Sequence, residues 1–359
     1  MPFYHDLKFY DGDPVYPNKQ SHIADRLLAL RADLHRDIAA DRVPNSLIVG
    51  SWNIRAFDDG VARLDESYHY IAEIISNFDI CAVQEVKGSL NPLERLRKLL
   101  GPAWDYFVSD VSVHTGGNNE RMAFLYNKNK VFFRRLVGEL VVDPEDLPQS
   151  NQIARSPFFA AFQAGWFRFV LCSSHIIYGG GSAKQKAQRA DEIRAITKLL
   201  VKRARSEDEV YIFLGDMNIE SPSGPIMQAL KDSRMVVPDF PPTNMKRDRH
   251  YDQMAFATKG ASGHKTKILR WGAFDWRGAV FGPKTTDRSA AAQKQRTANL
   301  AHYEAICTHQ RTQATKPKEP YEDFARSYPL WTTFEMSDHL PIWVELEVDY
   351  SNEYLSRYL

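Results

Sequence analysis

Apolar residues recur along this chain in two spacings. Over 21–42, Ile23, Leu27, Leu30, Leu34 and Ile38 fall at helical intervals. The stretch predicts an amphipathic helix packed on the main body, with Ser21 as its N-cap. Helical spacing returns over 65–78, over 91–101, where Gly101 is expected to end the helix, and over the charged stretch 182–205. Short apolar runs predict strands at 46–54, 79–86, 105–111, 120–127, 131–142, 158–163, 166–176, 209–218, 251–258 and 340–348. Many strands with few helices between them point to an α/β or α+β protein with mixed sheets. No Gly/Pro linker splits 46–350, which predicts one large domain, preceded by a helical extension over 1–45 and followed by a tail over 351–359.

Several predicted strands end in residues that a core disfavours. "LIVGSWNI" delivers Asn53, and "DICAVQEV" delivers Gln84 and Glu85. "FVLCSSHI" delivers His175, and "YIFLGDMN" delivers Asp216 and Asn218. "HYDQMAF" begins with Asp252, and "EMSDHLPIWVEL" carries Asp338 and His339. Burying one unpaired carboxylate costs several kcal/mol. The groups are tolerable if the strand ends converge and share hydrogen bonds and a divalent cation. Carboxylate and amide oxygens without a nearby thiolate suit a hard ion, Mg²⁺ or Mn²⁺. Acids, amides and two histidines around such an ion fit attack of water on a phosphate ester. Each piece alone is weak, since "GDMN" also reads as a type I turn. The repeated strand-end setting carries the reading.

Composition narrows the picture without deciding it. The 359 residues, 43% of them hydrophobic, suffice for a large core. Lys+Arg is 46 and Asp+Glu 45, so a net charge of +1 exerts no global pull on nucleic acid or membrane. The three cysteines, Cys81, Cys172 and Cys307, lack metal-ligand spacing. Their sparse, odd count suits a reducing compartment. No window resembles a signal peptide or a membrane span, and a cytoplasmic protein is expected. Residues 285–318 hold six Lys/Arg and two Asp/Glu, a net of +4. They read as an Ala-rich helix over 289–306 and a loop over 312–320, and as a solvated insertion before a phosphate-contacting arm.

Taken in order, "WNI", "QEV", "ERMAFLYN", "SSHI", "GDMN", "YDQM" and "SDHLPI" resemble the endonuclease/exonuclease/phosphatase superfamily over about 46–348. "NIRAF", "FDICAVQEVKGSL", "GAFDWRGAVFG" and "MSDHLPI" look most like the deoxyribonuclease I subgroup. The resemblance implies a four-layer sandwich of two mixed sheets flanked by helices, with the site at one rim. It implies that Glu85 is the principal metal-binding acid, with Asn53 beside it and Asp338 as a second metal-side acid. By the same match His175 contacts the scissile phosphate and pairs with Glu120. Asp216 orients or deprotonates the water, Asn218 holds a phosphate oxygen, and His339 is the second catalytic histidine, oriented by Asp252. Arg155 stands where the nuclease carries a phosphate-binding arginine. Two departures matter. "GGNN" (116–119) replaces the tyrosine that stacks in the minor groove, and about 281–330 has no counterpart in the compact nuclease.

The expectation is therefore a metal-dependent phosphodiesterase acting on nucleic acid, DNA before RNA, as an endonuclease. A phosphatase or a phospholipid or small-nucleotide phosphodiesterase is the alternative, which the nuclease-like sequence around Glu85 and Asp275 argues against. A non-catalytic module would have lost some of these residues. "YGGGSAK" (178–184) reads as a flexible connection rather than a phosphate cradle, because it lacks the P-loop pattern. "MKRDRHYD" (245–252) reads equally as an exposed loop or a phosphate-backbone contact. Trp271, Phe274 and Trp276 are expected in the core rather than stacked on bases. Oligomeric state has no signature in the sequence.

Overall fold

The computed structural model describes residues 2–57, 63–112, 118–147, 153, 155–207, 209–257, 266–283, 287–314, 319 and 321–359. Helix α1 (Lys19–Leu34) comes first and is followed by β1 (Leu47–Phe57), α2 (Asp65–Ile75), β2 (Ile80–Val86) and α3 (Asn91–Leu100). Next come β3 (Trp104–Val108), β4 (Arg121–Asn127), β5 (Phe132–Glu139), β6 (Phe158–Ala164) and β7 (Phe167–His175). Then follow α4 (Ala183–Glu207), β8 (Val210–Asp216), α5 (Pro225–Lys231), β9 (Asp252–Ala257) and β10 (Ile268–Ala273). The chain ends with α6 (Ala290–Gln313), α7 (Phe324–Glu335), β11 (Ile342–Leu346) and α8 (Ser351–Leu355). Parts of two expected features, the tip at 116–119 and the loop at 312–320, lie outside the described residues.

Two mixed sheets form the centre, one in the order β10-β11-β1-β2-β4-β3 and the other β5-β6-β7-β8-β9. Strand periodicity explains the four layers. In β1, Leu47 and Val49 point toward the other sheet, while Ile48, Trp52 and Ile54 point toward helices. In β8, Ile212 and Leu214 face the first sheet, and Tyr211 and Phe213 face α4 and α5. Both faces are covered, so the strands read as unbroken apolar runs. No helix among the described residues is long and apolar enough to cross a membrane.

Several elements differ from the sequence reading, among them α5 and α8, which it did not name. α1 starts at Lys19, and Ser21 lies inside its first turn with its hydroxyl donating to Asn18 O at 3.1 Å. Ser21 is therefore not the N-cap. β10 escaped notice because it is a half-exposed edge strand that contains Arg270 and Gly272. α7 escaped because Pro329 lies within it, a residue that normally argues against a helix. Phe274 and Trp276 are buried as expected, but Trp271 is 45% exposed, with its indole N–H on Asp239 O.

The N-terminal segment is fastened to the outer helices by polar as well as apolar contacts. Ile23, Leu27 and Leu30 share a core with α2 and with Tyr303, Ile306, Phe324 and Trp331 of α6 and α7. Inside it the Tyr16 hydroxyl donates to Glu66 Oε2 at 2.6 Å. Burial, the largest influence, pushes the Glu66 carboxyl up to about 7; the Tyr16 and Tyr303 hydroxyls oppose it. The folded protein thus holds this proton more tightly than the unfolded chain, whose carboxyl titrates near 4.5. Stability from this group is full below pH 4.5 and is lost as pH rises through about 7. Glu66→Gln is expected to leave Tm unchanged near pH 4 and to raise stability near pH 8.5 by up to about 3 kcal/mol. Thermal unfolding at the two pH values checks this, and equal shifts at both would reject it.

One glycine shapes the C-terminal end of β8. Gly215 has φ +129°, and a Cβ there would stand 2.0 Å from Ser174 O in the neighbouring strand. Neither the backbone angle nor the gap admits a side chain. Gly215→Ala is expected to destabilise the protein by about 3 kcal/mol, measured by urea unfolding.

Candidate active site

The pairing of β7, β8 and β9 sets three polar residues side by side, since His175 is in register with Asp216 and Asp216 with Asp252. The second sheet is completed by the first, whose strands β1 and β2 run parallel with Asn53 opposite Gln84. Past that pair both strands bulge, Glu85 at φ +61° and Ala56 at φ +43°. The bulge turns the Glu85 carboxylate to the rim, where Oε2 accepts the Ala56 N–H at 2.8 Å and Oε1 the Asn53 amide at 2.9 Å. Gln84 does not join the cluster. It stays between the sheets and donates to Ser173 Oγ at 2.9 Å.

Asn53 links the two sheets at the site. Its Nδ2 also donates to Asp216 Oδ2 at 3.0 Å, while its Oδ1 is buried without a hydrogen bond. Asp216 Oδ2 lies 3.4 Å from His175 Nε2 and 3.7 Å from His339 Nε2. Each histidine has its own carboxylate behind it. His175 Nδ1 is 3.0 Å from Glu120 Oε2, and His339 Nδ1 is 2.8 Å from Asp252 Oδ2. Asn218 is held by its Nδ2–H on Ile176 O at 2.7 Å and by its backbone N–H on Asp216 Oδ1.

The electrostatics divide the acids into two kinds. Burial would raise the Glu85 carboxyl, but His175, the Ala56 N–H and Asn53 outweigh it and hold the group below its usual value. Burial acts likewise on Glu120 and is overcome by His175, Arg155 and Lys87, which bring it down to about 2. Asp216 goes the other way. Burial and the adjacent Asp252 raise it, and His339 and His175 compensate only in part. His339 is raised well above its ordinary value, because Asp252, Asp216 and Asp338 outweigh the effect of burial. Proton-binding groups with opposed shifts in one small volume are what acid–base chemistry requires.

Among the described residues, two sets of carboxylate and imidazole atoms lie within 4.8 Å of one another and could each hold an ion, Glu85/Glu120/His175 and Asp216/Asp252/His339. In the second set Asp252 is already bonded to His339. In the first, Glu120 is committed to His175, Arg155 and Lys87. Glu85 remains, and with the orphan Asn53 Oδ1 it offers the oxygen donors a hard cation takes.

Of the residues named from the sequence, Asn53, Glu85, Glu120, His175, Asp216, Asn218, Asp252 and His339 come together. Arg155 is buried beside them, 3.4 Å from Glu120 Oε2, with an N–H on His175 O. Asp338 belongs to neither set, and its carboxylate lies 3.8 Å from Arg55 Nη1. The sequence reading missed Ser337, whose hydroxyl donates to Asn53 O and accepts the His339 N–H at 2.9 Å. It also missed Arg55, stacked 4.0 Å over the Phe334 ring at the site's edge. Ser337 was legible as the small hydroxyl residue before "DH"; nothing local marked Arg55.

The model of the Endonuclease/Exonuclease/phosphatase family matches residues 50–291. No curated protein sequence matches the chain. Among solved structures, a mannosyl-6-phosphatase from Bacteroides thetaiotaomicron is similar with a TM-score of 0.51 at 17% identity, covering 84% of this chain and 100% of the other. D. rerio TDP2, complexed with a single-strand DNA product, has a TM-score of 0.51 at 12% identity and covers 84% and 99%. The human Nocturnin catalytic domain, with a bound sulfate anion, has a TM-score of 0.52 at 13% identity and covers 86% and 96%. At these identities the likeness is one of fold.

Proposed function

The chain belongs to the endonuclease/exonuclease/phosphatase family, a family of metal-dependent phosphoester hydrolases, and within it we propose a phosphodiesterase that cleaves nucleic acid, DNA before RNA, as an endonuclease. The observation that carries this reading is the placing of Asp216 between two histidines, each backed by its own carboxylate. A diester presents a single negative charge. Arg155, the permanent cation beside His175, is engaged by Glu120, which suits a diester better than a dianionic monoester.

Glu85, with Asn53 beside it, would hold Mg²⁺ or Mn²⁺, and the bound ion would neutralise charge on the phosphate. Asp216 Oδ2 orients the attacking water and takes its proton, helped by its raised affinity for protons. His339, its Nδ1–H fixed by Asp252, presents Nε2 as a donor to the phosphate or the leaving oxygen. His175 Nε2 and the second amide hydrogen of Asn218 steady the non-bridging oxygens. D. rerio TDP2, similar in fold and complexed with a single-strand DNA product, supports a nucleic-acid reading. The cations Arg247 and Arg249, five and three residues before Asp252, are paired at long range only, 3.9 Å from Asp275 and 3.9 Å from Asp248, and suit a polyanion.

Supercoiled plasmid, RNA and phosphate monoesters with Mg²⁺, Mn²⁺ or a chelator test the proposal. Plasmid nicking is expected with either metal, none with chelator, and recovery when metal is restored. Turnover of monoesters alone would replace this reading with a phosphatase.

A further inference from the structure

Arg189 is a charged side chain that the proposed chemistry does not use, and it is only 2% exposed. Burying a guanidinium is unfavourable unless its donors are satisfied. Here the partners all lie within five residues, along the chain, of His175 or Asn218. Its Nη1 donates to Tyr178 O and, at 2.9 Å, to Gly180 O, and its Nη2 reaches Glu220 Oε1 at 3.4 Å. Its Cζ also sits 4.7 Å from the centre of the Tyr178 ring. Lys186 closes the cluster on Glu220 at 2.5 Å, and the Tyr178 hydroxyl bonds to the same carboxylate.

These contacts fix one object, the Tyr178 ring. It is 42% exposed although one face is covered by Arg189. Gly179 and Gly180, at φ +62° and +132°, turn the chain directly behind it. Tyr178 follows His175 by three residues, at most about 10 Å of chain. Asn218, which belongs to the reaction centre, ties the intervening Ile176 O to the end of β8. A second ring, Tyr251, stands 5.6 Å from the His339 ring. An exposed aromatic ring held rigid at such expense, beside a phosphate site, is a stacking surface.

We propose that Tyr178, held by Arg189, is a base-stacking subsite that takes the nucleobase of the nucleotide bound at His175. The inference rests on the nucleic-acid reading and names what holds the strand next to the cleaved bond. Because the contact is with a flat ring and makes no base-specific hydrogen bond, it accepts any base.

The test is a calorimetric titration of the full-length protein with AMP and with ribose 5-phosphate, Ca²⁺ replacing Mg²⁺ to hold back turnover. AMP is expected to bind about tenfold tighter, the effect of one stacked base. Tyr178→Ala should abolish that preference and leave ribose 5-phosphate affinity within about twofold, whereas Tyr178→Phe should keep it. Equal or undetectable binding of the two ligands by the wild type, or a preference that survives Tyr178→Ala, overturns the subsite. Equal loss of both ligands in the alanine variant does so too, because it marks a purely structural ring. Plasmid nicking is read separately. A protein that prefers AMP but never nicks DNA keeps the subsite and loses the nuclease reading.

Discussion

Asp216→Asn is expected to lower kcat for phosphodiester cleavage by about 10³-fold while the protein melts at the same temperature or a higher one. The two effects share a cause. Asp216 is 2% exposed, and its proton affinity is raised by burial and by Asp252. A group with a raised folded value contributes stability that is full below its unfolded value, here 3.8, and is lost as pH rises from there. At neutral pH the carboxylate is therefore a burden on the fold, kept for its chemistry. An amide of the same shape relieves that burden but cannot take a proton from water. Its Oδ1 still accepts the Asn218 N–H, and a flip of the Asn53 amide keeps the contact between the two residues at the expense of the bond to Glu85. Single-turnover rates, with melting curves recorded in chelator near pH 4 and pH 8, check both halves. Loss of the fold together with the activity would show that Asp216 is structural, and activity within tenfold of wild type would remove it from the reaction.

Much of this arrangement was readable from the chain, for a definite reason. Strands buried on both faces appear as unbroken apolar runs, so a polar residue at the end of one stands out. That contrast exposed Asn53, Glu85, His175, Asp216, Asp252 and His339. Partner choice is a different kind of information. That His175, Asp216 and Asp252 lie abreast depends on the pairing of three strands from distant parts of the chain, and periodicity does not encode it. The bulges that lift Glu85 out of the sheet need positive φ at Glu85 and Ala56, residues with no turn signature. Gln84 and Glu85 looked equivalent, yet the bulge separates them, one to the interior and one to the rim. Tyr178 was hidden by its neighbours, because three glycines drew the reading toward backbone flexibility, whereas the buried Arg189 that fixes the ring lies eleven residues further on.

The pairing of Asp216 with Asp252 raises an electrostatic problem whose solution leads to the second large effect. Two carboxylates on adjacent strands repel each other, and His339 is placed to answer both, at 2.8 Å from Asp252 and 3.7 Å from Asp216. Burial alone would strip the imidazole of its proton; the acids outweigh burial and hold it charged well above the ordinary range. Asp252→Asn should therefore lower kcat by about 10³- to 10⁴-fold, because the imidazole loses the group that fixes its tautomer and its charge. The same change should move the alkaline limb of the pH–rate profile to lower pH, since burial is then opposed by Asp216 and Asp338 alone. The sign carries over to stability. The charged His339 contributes stability that is full below its unfolded value of 6.5 and is lost as pH rises through the raised folded value. Asp252→Asn should accordingly destabilise the protein near pH 6 and much less at high pH. A pH–rate profile and urea unfolding at both pH values measure this. An alkaline limb that stays in place while kcat falls would mean that a group other than His339 donates the proton, and the roles of the two histidines would then be exchanged.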